Sequence, residues 1–375
     1  MFQECRNKTQ GKNKGRARIF LAVALFAVLS AASSCALPAG FEVHNSEIIE
    51  KPSSLKEIRK NLSQKPPIEL YEILRPTGLF AEKGDVDMVG SLAPRRVLVL
   101  EQRERWLYIA TAAEPKWIYL DFTPPVAELD ELLSPFGNSL SVYFENIETG
   151  FVYRYNAERS YLSASVPKAI FALYLYQKAE RGETDLSQYL TYYSRDFDSW
   201  SSPIMSLRYF AGTAFPQRQL IGWNLSYSDN IATNIIARTH GLCGYRDFIA
   251  EIGGNPEYVS RWSLVRSQIT ADEAGLWARE IYHYMESEES NFNEEFKSFM
   301  LNNQFPFIVS DYPVASKTGW DSPQAWHDMA VVYAPSPYVL VILSSGRWGT
   351  EADHQTFQEI SMAFQEFNTK WFVGE

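Results

Sequence analysis

Ser165-Val166-Pro167-Lys168 opens the apolar run Ala169-Ile170-Phe171-Ala172-Leu173-Tyr174-Leu175-Tyr176. As a helix, that run is apolar on every face and belongs inside a fold rather than on its surface. A hydroxyl at the start of such a helix meets unpaired N–H groups and the positive end of the helix dipole, which suit a developing oxyanion. Lys168 lies one turn on and shares a face with Ser165. Desolvation in the core lowers the pKa of its amine, which can then take the Ser165 proton and leave a nucleophilic oxygen. Pro167 is tolerated because first-turn N–H groups have no intrahelical partner. Alone, this spacing occurs often by chance and more often marks an ordinary serine cap beside a solvated lysine.

Two further stretches change the reading. Ser228-Asp229-Asn230 lies 63 residues on, and Lys317-Thr318-Gly319 a further 89. The three motifs in this order are a signature of class A β-lactamases and penicillin-binding proteins. The surroundings extend the likeness: Ala164-Ser165-Val166 with Leu173-Tyr174-Leu175-Tyr176, Ser228 through Asn234, and Val314-Ala315-Ser316-Lys317-Thr318-Gly319-Trp320. The chain resembles this family over residues 135–372.

The resemblance implies acyl transfer through a serine ester, with the site in a cleft between two lobes. Ser165 attacks an amide carbonyl and Lys168 is the base. Ser228 relays a proton to the leaving nitrogen, helped by Lys317, whose charge also suits a substrate carboxylate. The N–H groups of Ser165 and Trp320 form the oxyanion hole. Asn230 offers a donor and an acceptor to a substrate amide, and Thr318 and Gly319 line the substrate pocket. Asp229 is structural, bonding backbone in the helical lobe. Expected substrates are β-lactams or the D-alanyl stem peptide of peptidoglycan. The family's E-x-x-L-N loop, whose glutamate activates the deacylating water, has no counterpart in Trp262-Ser263-Leu264-Val265-Arg266-Ser267-Gln268-Ile269-Thr270. Glu257 precedes that stretch and Glu273 fits a helix cap. General-base help is worth about 10²–10⁴-fold, so deacylation is expected to be slow. A D-alanyl-D-alanine peptidase and a non-catalytic wall-binding protein are the rival readings.

The elements that must hold these residues are legible in outline. Residues 140–147 and 151–156 flank Glu148-Thr149-Gly150 as a hairpin. The Ser165 helix ends near Arg181-Gly182. Residues 184–300 read as helical, with Thr270-Ala271-Asp272-Glu273 as a capping box. Strands follow at 314–320, 328–334 and 338–344, with His327 at a strand edge. A helix over 355–371 places Phe357, Ile360, Phe364 and Phe367 on one face. The fold class is α+β: an antiparallel sheet flanked by helices plus an all-helical lobe, over 126–375. Before it, residues 68–123 carry short β-rich pieces at 88–92, 96–101, 106–110 and 117–120. Trp106-Leu107-Tyr108-Ile109 and Lys116-Trp117-Ile118-Tyr119-Leu120 resemble strands of bacterial Src-homology-3-like barrels, although Lys116 replaces the usual glycine. A small all-β barrel of this kind is either a contact for cell-wall polymer or a spacer.

The first 35 residues read as an export signal. Arg6, Lys8, Lys12, Lys14, Arg16 and Arg18 precede an apolar run at 19–32 that is too short to span a bilayer comfortably. Ser34-Cys35-Ala36 fits ordinary cleavage, and Cys35 equally stands where a lipoprotein carries its lipid. Both alternatives place the protein outside the cell or in its envelope, touching membrane only through a lipid on Cys35. Residues 36–67 are polar and proline-containing, as a tether is. Without residues 1–35 the totals of 35 Lys+Arg and 45 Asp+Glu lose six and one, leaving 29 against 44, a formal charge of −15. That surface excludes nucleic acid as a partner. Beyond Cys35 only Cys243 remains, so no disulfide framework is expected and Cys243 reads as a buried small hydrophobe. No metal or cofactor motif is present in the sequence.

Overall fold

Residues 338–344 are apolar without interruption until the final serine, and they fold as the strand Tyr338–Ser344, buried at every position. A strand covered on both faces has no need of polar alternation. In the computed structural model it is the middle of a five-stranded sheet ordered Val314–Asp321, Ala325–Val332, Tyr338–Ser344, Leu140–Asn146, Val152–Tyr155. Every neighbouring pair is antiparallel. The structure describes residues 70–73, 77–85, 87–93, 95–103, 106–119 and 124–373. The expected leader (1–35) and tether (36–67) lie outside them.

Strand alternation divides the interior into two cores. Val339, Val341 and Leu343 face the helical lobe, together with Ile170, Phe171 and Trp277. Tyr338, Leu340 and Ile342 face the other way, against Phe357, Ile360 and Phe364 of the helix Glu351–Asn368. That helix starts four residues earlier than its apolar spacing suggests, because Thr350 and Asp353 cap it reciprocally. The chain closes non-locally, with Tyr338 opposite Asn146 and Ser344 opposite Leu140. The helix Ala271–Met285 lies across the sheet. It fits closely because Gly275 has no side chain: a Cβ there would sit 2.4 Å from the ring of Tyr143.

Several expectations need correction. Thr270 does accept the Glu273 N–H, but the Glu273 carboxylate accepts from Asn255 N–H, so the capping box is only half made. The strand expected at 328–334 is Ala325–Val332, because the ladder with Val314–Asp321 continues to the pair Asp321 and Ala325. His327 therefore lies inside the ladder rather than at a strand edge, and it is fully buried. Cys243 is exposed at the start of the helix Cys243–Glu251, against the expectation of a buried small hydrophobe.

The described part of 68–123 is a six-stranded antiparallel sheet ordered Leu70–Ile73, Arg95–Arg103, Trp106–Ile109, Lys116–Tyr119, Thr77–Phe80, Gly90–Leu92. Four of these strands correspond to the β-rich pieces; Leu70–Ile73 and Thr77–Phe80 lack a comparable sequence signal. Leu107, Ile109 and Ile118 fill its core. On the opposite face Trp106 meets Tyr119 at 5.0 Å and Tyr108 meets Trp117 at 4.9 Å.

Candidate active site

The backbone bends sharply before the nucleophile helix, Pro167–Glu180, begins. Ala164 takes φ +45°, a region that side chains disfavour. Val166 N–H donates to Ser163 O at 3.3 Å and Lys168 N–H to Ser165 O at 3.2 Å. These three-residue spacings make a tight 3₁₀-type turn. Ser165 thus sits half-buried just ahead of the helix, whose next ten residues, Pro167 to Tyr176, are all buried.

Lys168 is fully buried. Its Nζ donates to Asn230 Oδ1 at 2.6 Å and to Ser228 O at 2.7 Å, and lies 3.3 Å from Ser228 Oγ. Burial holds the amine well below the ordinary lysine value; the Lys317 charge adds to this, and Asp229 and Asp198 oppose it. A neutral amine has two N–H bonds and one lone pair. The carbonyl oxygens of Asn230 and Ser228 can only accept, so they take the two N–H bonds. The lone pair is left for a hydroxyl. Ser165 Oγ makes no hydrogen bond to Lys168 among the described residues.

The second motif is held from below. Ser228 takes φ +54°, a left-handed conformation uncommon for serine. Asp229 is fully buried; it caps the helix Asn230–His240 through Ala232 N–H at 2.9 Å and accepts from Ser202 Oγ at 2.6 Å and Met205 N–H at 3.2 Å. This is the structural role expected of it. Ser201 Oγ accepts the Asn230 N–H at 2.9 Å, and Asn230 Nδ2 donates to Trp200 O at 3.4 Å. The Asn230 acceptor expected to serve a substrate amide is therefore occupied by Lys168.

The third motif lies on Val314–Asp321, an edge strand. A Cβ on Gly319 would stand 2.8 Å from Ser165 N and 2.9 Å from Val166 N. Only glycine lets the strand come this close to the Ser165 backbone. Lys317 is fully buried and donates to Thr318 O at 2.8 Å. Burial pushes its pKa down, with Asp328 opposing. Among the described residues it makes no hydrogen bond to Ser228 and acts on the site through its charge at Lys168. Thr318 Oγ1 is buried without a hydrogen-bond partner among the described residues, and Trp320 is 43% exposed.

Two supporting residues were not anticipated. Asp328, fully buried, accepts from Phe307 N–H at 2.8 Å, Ile308 N–H at 3.0 Å and Met329 N–H at 3.0 Å. Burial raises its pKa, and these N–H groups and Lys317 oppose that. His327 sits opposite Gly319 in the ladder. Its Nδ1 accepts from Ser344 N–H at 3.1 Å, which leaves Nε2–H to donate to Leu162 O at 2.9 Å, three residues before Ser165. Two ionisable residues inside an otherwise apolar strand were the available signal. A cavity of about 560 Å³ lined by Asn138, Arg154, Asn156 and Arg159 lies beside Val152–Tyr155, at the opposite sheet edge, and is no part of this site.

The family model for the beta-lactamase enzyme family matches residues 124–367. The chain belongs to this family. The matched region contains all three motifs and none of the small N-terminal sheet. The chain is 27% identical over 139 residues to Beta-lactamase SME-1 of Serratia marcescens, covering 36% of this chain and 46% of that protein. It is 28% identical over 123 residues to Beta-lactamase ROB-1 of Haemophilus influenzae, covering 32% and 39%. The chain thus spans less than half the length of these curated relatives. Among solved structures, the beta-lactamase of Sphaerobacter thermophilus superposes with a TM-score of 0.58 at 18% identity, covering 65% of this chain and 97% of that one. An ancestral class A beta-lactamase (GNCA) gives 0.55 at 20%, covering 64% and 98%. These superpositions establish the family fold.

Proposed function

We propose that this chain is an exported serine hydrolase that forms an acyl-enzyme with β-lactams or related D-alanyl amides. The observation that carries the reading is the Lys168 amine, buried at 0% exposure and held 2.6 Å from Asn230 Oδ1 and 2.7 Å from Ser228 O. Its lone pair takes the proton of Ser165 as Oγ bonds to the carbonyl carbon. Negative charge gathers on the carbonyl oxygen, beside the Ser165 N–H and the Gly319–Trp320 backbone. The C–N bond then breaks. The nitrogen takes a proton from Ser228 Oγ, which recovers one from Lys168, leaving Ser165 esterified and Lys168 neutral again.

Release of the ester is the slow step in this reading. Among the described residues, no carboxylate hydrogen-bonds to Ser165, Lys168, Ser228 or the Asn230 side chain. Glu257 pairs with Arg246 and Glu273 with Asn255. A D-alanyl-D-alanine peptidase draws support from the same observation, since such an enzyme can hand its acyl group to an amine instead of water. Export is supported by the basic stretch from Arg6 to Arg18 before the apolar run, with Cys35 as a candidate lipid site. The aromatic face of the small sheet suits contact with wall polymer.

Intact-protein mass, followed over time after penicillin exposure, tests the reading. The expected result is a one-to-one penicilloyl adduct on Ser165 that persists while free penicillin is removed. Ser165→Ala abolishes it and Lys168→Ala nearly does. Many turnovers of a chromogenic cephalosporin would instead mark an efficient β-lactamase. Labelling of Ser165→Ala at the wild-type rate would refute the site, and no labelling of the wild type would leave the non-catalytic reading.

A further inference from the structure

Gly319 faces the Ser165 backbone, so its neighbours Thr318 and Trp320 project from the opposite face of the edge strand. There Trp320 meets Phe305 edge-on at 5.6 Å and Phe307 at 6.2 Å. Phe307 in turn stacks on Trp326 at 4.2 Å and 7°. The backbone of this aromatic group is fixed. Asp328 holds the N–H groups of Phe307 and Ile308, while Asn303 accepts from Phe305 N–H at 3.1 Å and donates to Ser316 Oγ at 2.8 Å. Trp320 and Phe305 nevertheless remain 43% and 40% exposed. Two large rings braced from behind and left open in front form a wall with an unfilled apolar surface. It adjoins Thr318, on the same strand face, whose buried hydroxyl lacks a partner among the described residues.

We infer that Trp320 and Phe305 bind a flat apolar substituent on the carboxylate-bearing, leaving side of the acyl donor. The inference rests on the acyl-transfer reading and narrows it. If Thr318 takes the carboxylate, the group attached beside it meets the wall two residues along the same strand face. A terminal alanine offers only a methyl there and leaves most of the wall uncovered. An aryl group on the ring that carries the carboxylate covers it, stacking on the indole. The wall therefore selects aryl-bearing cyclic amides over alanyl peptides.

The test uses the full chain and two cephalosporins that differ only in the group next to the carboxylate, one methyl and one arylvinyl. Second-order acylation rates are divided by each ring's rate of hydrolysis in hydroxide, which removes intrinsic reactivity. The wild type is expected to favour the aryl compound by about tenfold, a size typical of one stacked ring. The preference should lie in the binding constant rather than in the limiting rate. Trp320→Ala and Phe305→Ala each reduce it to near parity, while Trp320→Phe retains most of it. Trp320→Ala keeps the backbone N–H, so a change in preference reports the ring. No preference in the wild type, or one unchanged in both alanine variants, overturns the inference. If penicillin still labels Ser165 in that case, only the wall is lost. If nothing labels Ser165, the acyl-transfer reading falls with it.

Discussion

Gly319→Ala is the sharpest probe of how the strand and the nucleophile fit. The added carbon would stand 2.8 Å from Ser165 N, 2.9 Å from Val166 N and 3.1 Å from Ser163 O, where ordinary contact begins at 3.4 Å. All three atoms are backbone, and they belong to a turn already bent at Ala164. None can swing aside as a side-chain tip can, so the strand must retreat by about 0.5 Å to restore ordinary contact. A displacement of 1 Å costs roughly 100-fold when a reacting geometry is lost, and removing an oxyanion donor costs about 10²–10³-fold. A half-ångström retreat of one donor strand should therefore slow acylation by about 10- to 100-fold. Overpacking should also lower stability by about 1–3 kcal/mol. The assay is the rate of labelling by a fluorescent penicillin, normalised to folded protein, beside a denaturant titration. Gly275→Ala is the control: its carbon would meet the Tyr143 ring at 2.4 Å, away from the motifs, so stability should fall while labelling per folded molecule holds. Wild-type labelling by Gly319→Ala, whatever its stability, would show that this close approach serves packing alone.

Two further predictions concern pH. Lys168 must be neutral to act, and its pKa is depressed by burial and by Lys317. Acylation should fall as pH drops through that depressed value, well below the ordinary 10.5, and Lys168→Arg should not acylate at any pH. Between the depressed value and 10.5 the unfolded chain holds a proton that the native state has shed, so stability rises with pH across this window. Lys168→Met should flatten the rise in denaturation midpoint; an unchanged slope would contradict the buried neutral amine. His327 is pushed down to about 4 by burial. The unfolded chain protonates first on acidification, so the His327 contribution to stability falls from pH 6.5 towards 4 by up to about 3 kcal/mol, while Asp328, raised to about 7 by burial, opposes it across the same window. His240, also lowered to about 4, contributes in the same direction as His327. His327→Gln, which can still accept and donate, should remove the His327 share. An identical acid loss in that variant would show that the imidazole is not held neutral.

Much of this molecule is legible in one dimension. The all-apolar run after Lys168 forces a buried helix, and β-rich runs separated by turn residues mark the strands of the sheet. Three motifs in one order point to the acyl-transfer chemistry proposed above, because residue type and local spacing decide what a short segment can do. What tertiary structure decided is which atoms meet. Ser228 and Asn230, at the turn into the helix Asn230–His240, accept both N–H bonds of Lys168. Glycine at 319 matters because another chain segment presses on it. His327 and Asp328 look out of place in an apolar strand until the loops they hold come into view. The Trp320 ring has no role evident from sequence until Phe305 and Phe307 stand behind it. Long-range contacts exist only once the sheet has closed the 140–155 hairpin onto the 314–344 strands, and no local periodicity records that closure.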